Sequence, residues 1–428
     1  MVKEIVVVTG AAGTGKTHWI IDKAQSLIKI NKRFIIVAPT NRAAKVLSKR
    51  LKPYGLWATT MHKALYKTQA TGETKTVKRP VIDPATGFPK TNNKGETVLY
   101  YEEEPLFAWQ FNQHLGDIVL IIDEASMVQS YVWNDIFTHF KGILVVVGDP
   151  NQLMPVEKKD EGISEYFQFF NKLAEMPTHN LGTDQDNKRL SDDTSGIQSA
   201  IKHVRADNNY LARFPDLQGQ SGYGYWDSNY GDLLGNEVKE MIFNSDITIC
   251  WRIAECDYIN QLYRTNKAQQ QGKAYKDTPV VGDRIIADGH YSVEVGRDDK
   301  DKPIMERIIT KGDELKIVEI MKADAANNIM WVKVEDEDGH VYTDWLALSV
   351  AGIFGGKVTP GLQYLRWVYG YAITCHKAQG SGWDTVVVLD SYYMPTDARR
   401  WRYTAATRAR KNLIVVKNNE SFAPKVSK

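Results

Sequence analysis

Cysteine is scarce: Cys250, Cys256 and Cys375 are the three in 428 residues, at spacings that no metal-ligand set uses. That excludes a disulfide scaffold and leaves each thiol to act as a small apolar residue in a reducing compartment. Apolar runs are short as well. None approaches the roughly 20 residues of a membrane span, and no signal-peptide pattern precedes the first apolar segment, so the expectation is a cytoplasmic chain with no membrane partner. Neither sign of charge is in excess: 54 Lys and Arg against 52 Asp and Glu leave +2. A polyanion must therefore be gripped by a local groove, not drawn in by a global field. Internal repeats and low-complexity tracts are missing too. What remains, 43% hydrophobic and 25% charged residues, suits an ordinary globular chain long enough for two or three domains.

Against that background the segment Gly10-Ala11-Ala12-Gly13-Thr14-Gly15-Lys16-Thr17 stands out, set between the apolar run Ile5–Val8 and a helical pattern that begins at His18. Its glycines let backbone N–H groups fold around a phosphate, Lys16 neutralises the β/γ oxygens, and the Thr17 hydroxyl can ligate Mg²⁺. A second segment, Asp123-Glu124-Ala125-Ser126, leaves the apolar run Ile118–Ile122. An acidic pair at the carboxyl end of a buried strand beside a P-loop is the layout of a Mg²⁺-dependent triphosphate hydrolase. Asp123 then holds the metal through its water shell, and Glu124 orients and deprotonates the attacking water. A third segment, Gly148-Asp149-Pro150-Asn151-Gln152, leaves the run Ile143–Val147, which lets Gln152 touch both the γ-phosphate and that water. No additional acidic metal-binding cluster is expected outside these segments, which argues against a nuclease.

Strand and helix patterns alternate over residues 1–60, resume with Ile118–Ile122 and Ile143–Val147, and return at Ile247–Trp251, Val368–Ile373, Thr385–Leu389 and Leu413–Val416. Such alternation predicts parallel sheets covered by helices. Residues 67–105 break the rhythm as a surface insertion. Residues 279–350 switch to short alternating runs at Arg284–Ala287, Glu314–Ile320, Ile329–Val334 and Val341–Leu346, a small inserted β-barrel. Arg399-Arg400-Trp401-Arg402 reads as a helix with a salt-bridged face, and Tyr223, Tyr225 and Trp226 as either a base-stacking cluster or a surface loop.

Taken in order, these segments resemble the 1B branch of superfamily 1 helicases, the RecD- and Dda-like branch, over nearly the whole chain. Ile36-Val37-Ala38-Pro39-Thr40-Asn41-Arg42-Ala43-Ala44 is similar to the family's motif Ia, and Thr59-Thr60-Met61-His62 to the DNA-contacting motif after it. The run from Gly370 to Gly380 is similar to motif V, and Tyr403-Thr404-Ala405-Ala406-Thr407-Arg408-Ala409-Arg410 to motif VI. Asn187-Lys188-Arg189 falls where the family places its motif IV arginine.

The resemblance implies an α/β fold of two RecA-like P-loop NTPase domains with parallel sheets, plus an inserted pin hairpin and a small SH3-like β-barrel insert. The first RecA-like domain takes residues 1–66 and 106–180, the pin 67–105, the second domain 181–278 and 351–420, and the barrel 279–350, leaving a tail at 421–428. ATP and Mg²⁺ are the implied ligands. Gly10, Ala12, Gly13, Thr14, Gly15, Lys16, Thr17, His18 and Gly380 are the implied nucleotide contacts, with Thr17 and Asp123 at the metal. Lys16, Glu124 and Gln152 work from one wall, and Arg189 and Arg408 reach across from the other. Pro39, Thr40, Asn41, Thr60, His62, Thr374, His376 and Lys377 are the implied DNA contacts, and Tyr100 or Tyr101 the pin's stacking residue. The implied activity is ATP-driven 5′→3′ movement of a monomer on single-stranded or forked DNA, alongside replication or recombination proteins. Two alternatives stay open at this point: an RNA helicase or translocase, and a non-catalytic subunit that binds nucleotide and DNA. The family's glutamine-bearing helix ahead of the P-loop has no counterpart in the nine residues before Gly10, and Arg252-Ile253 replaces a Thr-Asn dipeptide frequent in the family.

Overall fold

The computed structural model describes the chain except residues 1, 82–89, 91–97, 113–114, 156–172, 174–178, 183–194, 207–212, 218, 228–234, 298–302, 325–326, 343–344, 352–357, 359–362, 392–397 and 419–428. Its strands are β1 (Glu4–Thr9), β2 (Phe34–Ala38), β3 (Thr59–Thr60), β4 (Tyr66–Pro80), β5 (Leu99–Phe111), β6 (Val119–Ile122), β7 (Ile143–Gly148), β8 (His179–Asn180), β9 (Tyr223–Asp227) and β10 (Ile247–Cys250). They continue with β11 (Arg284–Ala287), β12 (Tyr291–Arg297), β13 (Pro303–Ile309), β14 (Glu314–Asp324), β15 (Ile329–Asp336), β16 (Leu346–Ser349), β17 (Trp367–Tyr369), β18 (Ala372–Thr374), β19 (Trp383–Ser391) and β20 (Ala409–Asn418). Two compact units result: Met1–Lys67 with Phe111–Tyr263 and Ala372–Lys428, and Thr68–Gln110 with Arg264–Tyr371.

The first unit holds two sheets whose paired strands all run parallel, of order β3-β2-β6-β7-β1-β8 and β18-β10-β19-β20-β9. This α/β arrangement fits RecA-like domains. Central strands such as β6 and β7 are near-continuous Val, Ile and Leu because both their faces are covered. One face of β6 and β7 packs on Met61, Trp133 and Phe140, and the other on Ile20, Leu47 and Leu51. Truncating a fully buried residue such as Leu120 to Ala costs about 2–5 kcal/mol. Helix α1 (Lys16–Lys29) buries Ile20, Ile21, Ala24 and Leu27. In α2 (Asn41–Leu51), Thr40 caps the N-terminus by accepting from Ala43 N at 3.1 Å. Helices α3 (Met61–Leu65) and α4 (Ser130–His139) follow.

The second unit carries an antiparallel sheet of order β16-β15-β14-β11-β17, the antiparallel pair β12-β13 and the two-stranded sheet β4-β5. Its core is Ile285, Leu315, Ile317, Val332, Val334, Leu346 and Leu348.

Four expectations need correcting. The run Val368–Ile373 is not one strand: β17 pairs antiparallel with β11 in the second unit, and β18 pairs parallel with β10 in the first. Continuous apolarity could not reveal that the run serves two sheets. The strand expected at Val341–Leu346 is Leu346–Ser349 instead, and Val341 forms only an isolated bridge to Glu335 across the turn at Gly339 (φ 79°). Tyr223–Asp227 is no loop but an edge strand parallel to β20, with Tyr223 buried. Strands β12 and β13 were not foreseen, although Tyr291-Ser292-Val293-Glu294-Val295 alternates; they form a two-stranded pair separate from the five-stranded sheet. Among the described residues no helix is long and apolar enough to cross a membrane.

Candidate nucleotide site

The P-loop, the acidic pair and the Gln152 segment each leave the carboxyl edge of a parallel strand, where open α/β sheets bind ligands. The P-loop follows β1. Gly13 and Gly15 take φ of 86° and 97°, a region that side chains avoid, and a Cβ on Gly10 would sit 2.4 Å from Thr14 Oγ1. Lys16 Nζ donates to Gly10 O and Ala11 O at 2.8 Å each, so the loop is wrapped around its own ammonium. The N-terminus of α1 adds its dipole at the same place.

A cavity of about 220 Å³ opens there, lined by Gly13, Gly15, Lys16, Thr17, Asp123, Glu124, Gly380 and one face of α2: Ala43, Val46, Leu47 and Arg50. Arg50 Nη1 donates to Thr17 Oγ1 at 3.4 Å. Gly380, from the segment after β18, takes φ of 80°, and a Cβ there would lie 3.3 Å from Ala43 Cα.

The acidic pair follows β6. Asp123 N donates to Val37 O at 2.9 Å, and Glu124 N to Asp123 Oδ1 at 3.0 Å. Glu124 takes φ of 51°, a left-handed conformation that costs a non-glycine residue about 1–2 kcal/mol. Its Oε2 is buried without a hydrogen-bond partner. An orphaned carboxylate oxygen beside Asp123 and the Thr17 hydroxyl is an all-oxygen donor set, which suits Mg²⁺. Among the described residues no three His, Cys, Asp or Glu side chains gather into a metal cage. A Mg²⁺ that keeps its waters and leans on nucleotide phosphates needs none.

After β7, Asp149 is fully buried. Its Oδ1 accepts from Asn151 N at 3.0 Å, its Oδ2 from Tyr403 OH at 2.5 Å, and its carbonyl from Gln152 N at 3.1 Å. Gln152 is itself buried, with Oε1 unpartnered, and does not line the cavity. The helix Ala398–Ala406 supplies the facing groups: Tyr403 OH accepts from Ala12 N at 3.3 Å, and Thr404 Oγ1 from Leu153 N at 2.7 Å. Gln379 Nε2 donates to Leu153 O at 2.6 Å.

Arg408 is 1% exposed and off the cavity wall. It donates to Thr404 O (3.0 Å), Ser381 O (3.1 Å) and Thr407 Oγ1 (2.9 Å). Arg402, read as part of a salt-bridged face, is buried, and its Nε is 2.9 Å from both Asp390 oxygens. His18 is exposed, 3.8 Å from Asp22 and outside the cavity. Arg189 lies outside the described residues.

Pro39, Thr40 and Asn41 follow β2, Thr60 ends β3, and Thr374 ends β18. Thr60 caps α3 by accepting from Lys63 N at 3.3 Å. His62 stacks on Tyr66 (5.5 Å between ring centres) and has Nε2 2.5 Å from Tyr131 OH. Partial burial lowers the His62 pKa. Burial lowers that of His376 too, against a hydrogen bond with the Met154 backbone. Lys377 is exposed. Tyr101 is 67% exposed on β5, while the Tyr100 side chain is outside the description. Sequence reasoning missed Arg50 and the bridging roles of Tyr403 and Asp149. The spacing 43, 46, 47, 50 on one helical face was the available signal for Arg50.

Fold and site together define a P-loop nucleotide hydrolase whose site draws on two parallel sheets. Residues 1–158 match the model described as an AAA domain, and residues 369–416 the UvrD-like helicase C-terminal domain. The RecBCD enzyme subunit RecD of Buchnera aphidicola is 21% identical over 495 residues, covering 100% of this chain and 73% of that protein. The ATP-dependent RecD2 DNA helicase of Deinococcus radiodurans is 47% identical over 60 residues, 13% of this chain and 8% of that protein. A crystal structure of Bacteroides Pif1 bound to ssDNA aligns over 96% of this chain and 88% of its own, at 16% identity and a TM-score of 0.49. The chain is thus similar to RecD-type helicases, with one segment that matches an AAA domain and another that matches a UvrD-like helicase C-terminal domain.

Proposed function

We propose that this chain moves along single-stranded DNA, 5′→3′ as the family does, and opens forked duplex by coupling ATP hydrolysis to closure of two RecA-like domains. The observation that carries this reading is the cavity in which P-loop, acidic pair and Gly380 meet, with Tyr403 hydrogen-bonded to Ala12 of the P-loop and Thr404 to Leu153. Lys16 exchanges its two carbonyl partners for phosphate oxygens. Thr17 and Asp123 hold Mg²⁺, which supplies charge neutralisation at the phosphates. Glu124 takes the proton of the attacking water, and Gln152 turns toward it. Arg408, and Arg189 by resemblance, approach the transferring phosphoryl when the two sheets close on it.

Pro39, Thr40, Asn41, Thr60 and His62 grip DNA beside the first sheet, and Thr374, His376 and Lys377 beside the second. Residues 67–105 act as the pin, with Tyr100 or Tyr101 on the splitting pair, and residues 279–350 form the SH3-like insert. Forked duplexes with 5′ or 3′ tails, with and without ATP, test the reading. Displacement only from the 3′-tailed fork overturns the polarity. Hydrolysis stimulated by poly-U as strongly as by poly-dT favours RNA.

A further inference from the structure

We propose that Tyr403 is a positioning residue whose buried hydroxyl links the P-loop to the Gln152 turn, so that the state of one sets the geometry of the other. The proposal rests on the hydrolase reading above. Tyr403 is fully buried and comes from the last turn of the helix Ala398–Ala406, 254 residues after Asp149 and 391 after Ala12. Its hydroxyl accepts from Ala12 N (3.3 Å) and donates to Asp149 Oδ2 (2.5 Å), so one oxygen joins three chain segments.

Asp149 turns that link into geometry at the site. Its other oxygen and its carbonyl hold Asn151 N and Gln152 N, so it shapes the turn that carries Gln152. Gln152 Oε1 is buried and unpartnered, a group waiting for a donor. One residue on, Thr404 holds Leu153 N with its hydroxyl and Arg408 Nε with its carbonyl. The same helical turn therefore holds the P-loop, the Gln152 turn and the Arg408 guanidinium. A displacement of Ala12 on phosphate entry is passed through hydrogen bonds among buried groups.

Tyr403→Phe removes only the hydroxyl and keeps the ring. Hydrogen exchange without nucleotide reads the link itself: amides in residues 10–17 and 148–154 should exchange faster in the variant, with melting still cooperative. Steady-state hydrolysis reads the coupling: kcat with DNA should fall about tenfold while KM for ATP stays within about twofold. Asp149→Asn provides a second entry to the link, and the double variant should be no worse than the poorer single one. Unchanged exchange in both segments overturns the link. Faster exchange with kcat and DNA stimulation intact overturns the coupling, as does simple additivity of the two substitutions. A wild-type chain without DNA-stimulated hydrolysis overturns the proposed function and the coupling together, and is told apart because exchange still reads the link.

Discussion

The two parallel sheets present opposite chemistry at their carboxyl edges. Beside the first, acidic and amide groups are short of partners: Glu124 Oε2 and Gln152 Oε1 are buried without a hydrogen bond, and the P-loop is closed on its own lysine. Beside the second, cationic groups are saturated: Arg402 holds both Asp390 oxygens, and Arg408 has three acceptors from its own neighbourhood. Buried polar groups are nearly always satisfied, so the leftovers beside the P-loop are candidates for completion by a ligand. Thr248 Oγ1, Gln379 Oε1 and Ser391 Oγ are leftovers at the second sheet, so the contrast lies in its cations. Saturation marks groups that act as scaffold until a rearrangement frees them. The first edge is built to receive a nucleotide. On the proposed function, Arg408 of the second must break its present bonds to reach that nucleotide.

Lys16→Ala attacks the receptive edge and should bring DNA-stimulated phosphate release below detection; full activity there breaks the comparison outright. Arg408→Ala probes whether the saturated edge also does chemistry. It should lower hydrolysis by about a thousandfold and also lower stability in urea, since each orphaned buried acceptor costs about 1–3 kcal/mol. Loss of stability alone would leave the second edge a scaffold.

Asp390→Ala, which strands a buried guanidinium, should cost about 3–5 kcal/mol. Asp384→Ala, from the half-exposed pair with Lys411, should cost under about 1 kcal/mol. Denaturation curves of the two sharpen the line between saturated and surface charge.

His376 gives a smaller, pH-dependent effect. Burial lowers its pKa below 6.5, so the folded chain holds it neutral and unfolding takes up a proton in acid. Its contribution is whole above about pH 6.5 and lost as pH falls below that, so His376→Gln should flatten the fall in melting temperature on acidification. Lys377→Ala should reduce the salt slope of DNA binding by about 1 and His376→Ala should not, because the neutral ring releases no counterion.

The central strands were legible because β6, β7 and β19 are long Val, Ile and Leu runs, and the P-loop because phosphate chemistry demands glycine at set positions. The break at Gly370-Tyr371 and the edge strand β9 were not, since strand pairing there depends on neighbours far along the chain. At the candidate site, the gathering of Gly13, Gly15, Lys16, Thr17, Asp123 and Glu124 around one cavity was readable from type and spacing. The burial of Gln152 and Arg408 was not, because a side chain's partners are a property of packing.

Local chemistry in the chain determined that a triphosphate could be bound and which strand ends would hold it, because glycine torsions and strand burial act over a few residues. Tertiary structure alone decided that a tyrosine near residue 400 would meet an amide near residue 12, and which charges would be spent on each other. Those pairings follow from what the folded core brings within about 3 Å, a distance that no spacing in the sequence encodes.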